Sequence, residues 1–135
     1  MRLQVLGLAF GLSLLVNSAS HASTMSCTVK GVYSLSESGE LVVGGGMGFP
    51  GAVFTVDLVT GQVRGPVLDN VSSSLCKRVV LKTPTNKDSF KVLANCGNGT
   101  AVEYLEISTW DKNQFVAKGV AKTLHTGTCV KTGAF

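Results

Sequence analysis

Four cysteines, Cys27, Cys76, Cys96 and Cys129, impose the strongest constraint on how this chain can fold. An even number of cysteines in a small exported chain is typical of a disulfide framework. A metal site would need cysteines grouped as C-x-x-C or supported by several histidines, and the chain has 2 histidines. We therefore expect two disulfides, no bound metal and no cofactor.

The first 22 residues predict export. Arg2 is followed by an apolar run from Leu3 to Val16 and then by a segment of small residues that ends at Ala22. This is the pattern of a signal peptide, and the apolar run is shorter than the ~20 residues that cross a bilayer. We expect cleavage after Ala22 and a single domain of residues 23–135 without a membrane span. Its expected location is the periplasm or the outside of the cell, where disulfides form.

The segment 76–96, "CKRVVLKTPTNKDSFKVLANC", has the pattern of a β-hairpin. If its strands pair about Asn86, Cys76 lies directly opposite Cys96, and directly opposed cysteines are close enough to form a disulfide. Four cysteines allow three pairings, and the hairpin favours the one that contains this bridge. The second bridge would then join Cys27 and Cys129, in the first and last strands.

Most other segments also have strand patterns. In "CTVKGVYSL", alternation places Val29, Gly31, Tyr33 and Leu35 on one side of a strand. Turn residues separate further runs that are rich in β-branched and aromatic side chains. We expect an all-β domain, a small antiparallel barrel or sandwich of about eight short strands, held by two disulfides.

The segment 114–124, "QFVAKGVAKTL", fits two structures. Val116, Val120 and Leu124 have helical spacing, but Gly119 in the middle costs a helix about 1 kcal/mol. We therefore predict a strand here.

A glycine-rich segment, "GGGMGFPG" at residues 44–51, matches the G-x-G-x-x-G spacing of a dinucleotide-binding turn. Such a turn must open a helix, whereas the residues that follow it, "AVFTVDLV", have a strand pattern. The segment is better interpreted as a bent crossover between strands. Met47 and Phe49 within it are our weak candidates for contacts with a ligand or partner; the alternative is that both lie in the core.

Three sets of charged or titratable residues could form a site. About a two-residue turn at Thr60-Gly61, Asp57 and Arg64 would be directly opposed and would form a structural ion pair. A three-residue loop with a bulge at Gly61 would instead shift the register and loosen this pair. Glu103 and Glu106, three apart on a strand, point to opposite faces and do not converge. His125 lies in no recognisable catalytic motif. We therefore assign no catalytic residue.

The charge pattern does not favour nucleic acid as a partner. The formal net charge is +4, and 12 basic side chains are offset by 8 acidic ones. Aromatic residues are few and do not alternate with basic ones, as stacking on bases would require.

Five different short motifs follow one another along the chain: Phe54-x-x-Asp57-x-x-Thr60-Gly61, S-F-K-V at 89–92, Y-x-x-I at 104–107, F-V at 115–116, and T-G-x-C at 126–129. In this order and spacing the chain resembles small exported bacterial proteins of unassigned function. The resemblance implies a secreted or periplasmic β-domain and transfers no catalytic or binding residues.

Three functions remain open at this level. The first is a non-catalytic binding module of the bacterial envelope, with a protein or an envelope glycan as its partner. The second is an inhibitor of a secreted or periplasmic hydrolase. The third is a small hydrolytic enzyme that uses His125.

Overall fold

The computed structural model describes residues 24–44, 49–68, 76–82, 89–97, 101–119 and 122–132. The predicted signal peptide and Met47 lie outside these ranges. The described residues form strands and turns without an α-helix, which confirms the all-β prediction. The nine strands are β1 (Thr24–Leu35), β2 (Leu41–Val43), β3 (Val53–Asp57), β4 (Val63–Arg64), β5 (Cys76–Lys82), β6 (Ser89–Cys96), β7 (Ala101–Ser108), β8 (Gln114–Lys118) and β9 (Thr123–Thr132).

The strands build one antiparallel sheet that curves into a half-barrel. Its order is β4-β3-β1-β9-β8-β7-β6-β5, and β2 pairs with β1 beside this path. From β5 to β9 each strand pairs with the next in sequence, as a series of hairpins does. The pairing of β9 with β1 then brings the two ends of the described chain together.

Both disulfides have the predicted connectivity. Cys27 on β1 bonds to Cys129 on β9, and Cys76 on β5 bonds to Cys96 on β6. Each pair consists of directly opposed residues in its strand register. The hairpin argument from the sequence is therefore confirmed.

The core lies on the concave face of the sheet, where alternate residues of each strand point inward. On β6 and β7 the inward positions are apolar, except at Glu103. Phe54 on β3 and Phe115 on β8 meet edge to face, with ring centroids 5.1 Å apart. The other large side chains that are fully buried are Phe90, Met25, Leu105, Ile107 and several valines.

A β-bulge changes the alternation within β1. Val29 pairs with Gly127, but Gly31 pairs with Thr126, so Lys30 is an extra residue. As a result Val29 points into the core, and the prediction that it shares a face with Gly31, Tyr33 and Leu35 is wrong. The last three do share the outer face.

The segment 114–124 is a hairpin. β8 ends at Lys118, β9 begins at Thr123, and Gly119 N donates a hydrogen bond of 2.9 Å to Thr123 O. The strand prediction is correct for both ends, but the single continuous strand is wrong because the chain reverses after Gly119.

The turn between β3 and β4 closes the concave side of the half-barrel. Gly61 in this turn is buried with a φ of 72° and packs on Val80 of β5 and Val92 of β6. A Cβ at position 61 would lie 2.7 Å from Val92 Cγ2. Leu58, in the same turn, is also buried. One end of the sheet therefore meets the other through side-chain packing.

Candidate functional site

Several apolar side chains are exposed at the end of β1 where β2 joins it. Leu41 lies opposite Leu35, and Val43 lies opposite Tyr33. Opposed residues of an antiparallel pair point to the same side, so these four share the outer face of the sheet. Val43 is 87 % exposed, and Leu35 and Leu41 are exposed as well.

The glycine-rich crossover begins beside this hairpin. Gly44 N donates to Val32 O at 2.9 Å, and after the crossover Gly51 N donates to Val29 O at 2.7 Å. The two ends of the crossover therefore bond to β1 at positions that are three residues apart. Phe49, in this crossover, is 79 % exposed. Phe49 is therefore not buried in the core, which was the alternative to a surface position.

We call the exposed side chains of Leu35, Leu41, Val43, Phe49 and Val53 the apolar edge. They lie on β1, on β2, on the chain between β2 and β3, and at the start of β3, along one side of β1. Isolated exposed apolar residues are common on proteins, but a group along one edge is typical of an interaction surface.

The turn that joins β1 to β2 holds this edge in place. Ser36 N donates to Glu40 O at 2.9 Å, and Ser36 Oγ accepts a hydrogen bond from Glu40 N at 3.0 Å. Ser34 Oγ donates to Gly44 O at 3.0 Å on the other side of β2. Glu37 and Glu40 are exposed in this turn, so the apolar edge has an acidic flank.

The sequence indicated little of this surface beyond Phe49. The run Leu41–Val43 has the composition of a buried strand, yet all three residues are exposed. Leu41 and Val43 are exposed because they lie on the outer face of the sheet, and Val42, on the other face, is 44 % exposed. The signal available in the sequence was the short length of the run between a turn and a glycine.

The predicted direct pairing of Asp57 with Arg64 is wrong. Thr55, not Asp57, lies opposite Arg64, because four residues rather than two form the turn between the paired positions Asp57 and Gln62. Asp57 Oδ1 instead accepts hydrogen bonds from Val59 N at 2.8 Å and from Thr60 N at 3.0 Å.

These contacts set the ionisation of Asp57. The hydrogen bond from the Thr60 N–H, supported by the one from Val59 and by the positive charge of Arg64, lowers the pKa of Asp57 below its ordinary value. Partial burial acts against this and is the weaker influence. The Asp57 carboxylate therefore stays ionised and fixed at the start of the turn.

Glu103 and Glu106 point to opposite faces of β7, as strand alternation predicts. Glu103 is buried on the inner face. Glu106, on the outer face, accepts a hydrogen bond of 2.7 Å from Tyr104 Oη and lies 3.2 Å from Lys91 Nζ. The bond from Tyr104 is the main cause of a lowered pKa at Glu106.

His125 lies on the inner face of β9, opposite Ala117 of β8 and Val32 of β1, and is 3 % exposed. Glu103 and Thr123 are the other buried polar side chains among the described residues. A hydrolytic reaction at His125 would require substrate and water to enter the core, so this position suits a structural residue better than a catalytic one.

The described ranges contain no group of three or more His, Cys, Asp or Glu side chains that could hold a metal ion, and no helix long and apolar enough to cross a membrane. Comparison of the chain with protein-family models, with curated proteins and with solved structures gave no match.

Proposed function

We propose that this protein is an exported, non-catalytic binding module that holds a protein partner at the apolar edge. The observation that carries the proposal is the exposure of five apolar side chains along one side of β1, with Val43 87 % and Phe49 79 % exposed. Burial of one such side chain in an interface yields about 1.5–3 kcal/mol.

Phe49 is the expected anchor of the interface. Aromatic residues that fill a pocket on the partner contribute a large share of binding free energy, while their neighbours exclude water. Leu41 and Val43 lie on β2, just before the crossover that carries Phe49, and would supply this surrounding contact. The hairpin hydrogen bonds at Ser34 and Ser36 hold these neighbours in place before binding, which reduces the entropic cost of association.

The partner we propose is an extended protein segment with apolar side chains and a basic flank. Within the described part of the chain, β2 pairs with β1 alone, so its other edge offers backbone hydrogen-bonding groups to an added strand. Glu37 and Glu40 favour positive charge at the end of that segment.

We place the module in the periplasm or outside the cell. Two disulfides in so small a fold are consistent with an oxidising compartment. The N-terminal pattern of a signal peptide and the resemblance to small exported bacterial proteins support the same location.

Site-specific photo-crosslinking in the native compartment tests this function. A photoreactive phenylalanine analogue at position 49 is expected to trap a protein partner. The same analogue at position 110 is the matched control, since Trp110 is an aromatic residue that is 66 % exposed on the β7–β8 turn. Equal products from both positions, or none from position 49, would contradict the proposal.

The affinity of the trapped partner then tests the surface quantitatively. Phe49→Ala is expected to weaken binding at least about tenfold, and Trp110→Ala is expected to leave it unchanged. If the partner is a hydrolase and its activity falls on titration with this protein, the module acts as an inhibitor. An unchanged affinity for Phe49→Ala would remove Phe49 from the interface.

A further inference from the structure

A polar depression lies on the outer face of the sheet, where β1, β3 and β4 run side by side. Its volume is about 170 Å³, and it is lined by Thr24, Thr55, Asp57, Gln62 and Arg64. All five are polar, and they come from three strands and the turn between β3 and β4. The depression lies beyond the β3 end of the apolar edge, since Val53 precedes Thr55 by two residues on the same face of β3.

Opposite charges face this depression without pairing with each other. The carboxylate of Asp57 and the guanidinium of Arg64 do not form an ion pair, because the register of β3 and β4 sets Arg64 opposite Thr55. Arg64 Nη2 instead donates a long hydrogen bond of 3.4 Å to Gln62 Oε1. The two N–H groups of the turn both bond to Asp57 Oδ1 and hold the carboxylate at the rim.

The donor and acceptor groups of the depression suit hydroxyl-bearing ligands. A carboxylate only accepts hydrogen bonds, a guanidinium only donates them, and the threonine hydroxyls and the glutamine amide do both. A sugar hydroxyl also does both, so neighbouring hydroxyls of one ring can donate to Asp57 and accept from Arg64. Few groups in the site would be left unpaired.

Hydroxyl groups continue beyond the depression on the same face. Ser26 lies opposite Thr55, Thr132 lies opposite Thr24, and Thr128 lies opposite Thr28. These pairs sit on the three adjacent strands β3, β1 and β9 and point outward. Two exposed valines share this face with them, Val130 opposite Ser26 and Val53 opposite Thr28. An amino-acid ligand would use the two charges but not this surface, whereas further units of a saccharide chain would lie along it.

We propose that the depression formed by Thr24, Thr55, Asp57, Gln62 and Arg64 binds a saccharide. Asp57 accepts from one pair of ring hydroxyls, and Arg64 donates to another hydroxyl or to a sugar carboxylate. Thr24, Thr55 and Gln62 complete the hydrogen bonds at the floor. This site is independent of the protein interface proposed above.

Backbone amide shifts of the isotope-labelled, disulfide-bonded protein test the site. The probes are glucose, N-acetylglucosamine and glucuronate as saccharides, with glycine and glutamate as zwitterions of similar polarity. Saccharide titration is expected to move the amide signals of the five lining residues and of Ser26. No saccharide response there, or a response to glycine and glutamate in place of the saccharides, would overturn the proposal.

Three variants assign the response to the charged pair. Arg64→Ala is expected to weaken saccharide binding by about tenfold, because a charged hydrogen bond is lost. Asp57→Asn removes the charge but keeps an Oδ1 acceptor for the N–H groups of the turn. This variant is also expected to weaken saccharide binding, while the amide signals away from the site stay the same. Lys77→Ala, an exposed basic residue on β5, is the matched control and is expected to bind as the unaltered protein does. Equal binding by all three variants would exclude a site at Asp57 and Arg64.

Discussion

Phe115 on β8 lies over Gly127, its register partner on β9. A Cβ at position 127 would lie 2.6 Å from Phe115 Cε1, and still closer to the carbonyl oxygen of Thr28 on β1. The ring that fills the space above Gly127 is the same one that meets Phe54 edge to face. The absence of a side chain at position 127 therefore lets three strands and the central aromatic pair pack together.

Gly127→Ala is expected to destabilise the protein by about 3 kcal/mol, because an added methyl group in a packed core displaces backbone as well as side chains. Gly119→Ala is the control, since a Cβ at position 119 would be 3.8 Å from its nearest neighbour, Thr123 O. Chemical denaturation measures both free energies of unfolding. Similar values for the two variants would contradict the packing described for Phe115.

The two disulfides are expected to contribute unequally to stability. The Cys27–Cys129 bridge spans 102 residues of sequence and the Cys76–Cys96 bridge spans 20. In the chain-entropy account, loops of these sizes correspond to about 4.7 and about 3 kcal/mol. Replacing each pair by alanine and measuring urea unfolding compares them. A larger loss from the shorter loop would show that residual structure in the unfolded chain outweighs loop entropy.

Much of the β5–β6 hairpin could be predicted from the sequence. A turn centred on polar residues and two flanking strands fix a symmetrical register, and Val80 does lie opposite Val92. The bulge between Val80 and Lys82 was not predictable from this symmetry. Likewise, the alternation in β1 gave no sign of the extra residue at Lys30, because that bulge depends on pairing with β9, almost a hundred residues away in sequence.

The Asp57 turn shows why the predicted ion pair with Arg64 is wrong. A two-residue hairpin turn at Thr60-Gly61 would set Asp57 of β3 opposite Arg64 of β4. The Asp57 side chain instead bonds to two N–H groups of a longer turn, and this local bond competes with the shorter hairpin. The register moves, and Arg64 no longer faces Asp57 directly. Side-chain capping of this kind is visible in sequence only as an aspartate just before a turn.

Asp57 is expected to make stability depend on pH in the acid range. Its pKa in the folded protein lies below the ordinary value of 3.8, so the folded state favours the ionised carboxylate. The stability that the ionised Asp57 carboxylate gives the folded state is present above the pKa of Asp57 in the unfolded chain. It is lost as pH falls through the pKa of Asp57 in the folded protein. Urea unfolding of the wild type and of Asp57→Asn, each at neutral pH and under acid conditions, measures it. The variant should lose less stability on acidification, and parallel pH profiles would count against the role of the turn hydrogen bonds.

Tyr104 is expected to ionise only in strongly alkaline solution. Burial, together with its hydrogen bond to Glu106 and the charge there, raises the pKa of Tyr104 to about 12. The pKa of Tyr104 in the folded protein exceeds the ordinary value of 10, so the folded state favours the protonated hydroxyl. The stability gained from this preference is present below pH 10 and is lost as pH rises toward 12. Glu106→Gln removes the charge but not the burial.

Ring resonances of labelled tyrosine, followed through the alkaline range, measure this pKa directly. In Glu106→Gln the value is expected to fall toward 10 without reaching it, because burial is the first cause of the shift. Lys91→Ala is a useful comparison, since it removes a different contact of Glu106 and leaves the tyrosine bond in place. No change in Glu106→Gln would mean that burial alone accounts for the raised pKa.

The contact of Gly61 with Val80 and Val92 also determines how the fold moves. The two ends of the sheet meet there by van der Waals contact, so the β3–β4 turn can lift away from β5 and β6 without breaking a ladder of backbone bonds. Every other junction along the sheet is a hydrogen-bonded strand pair, and the pairing of β1 with β9 is also covalently linked. Among the described residues, the half-barrel thus has one side held by van der Waals contact alone. We expect its slow fluctuations to be partial openings at that side, which expose the interior while the rest of the sheet stays folded.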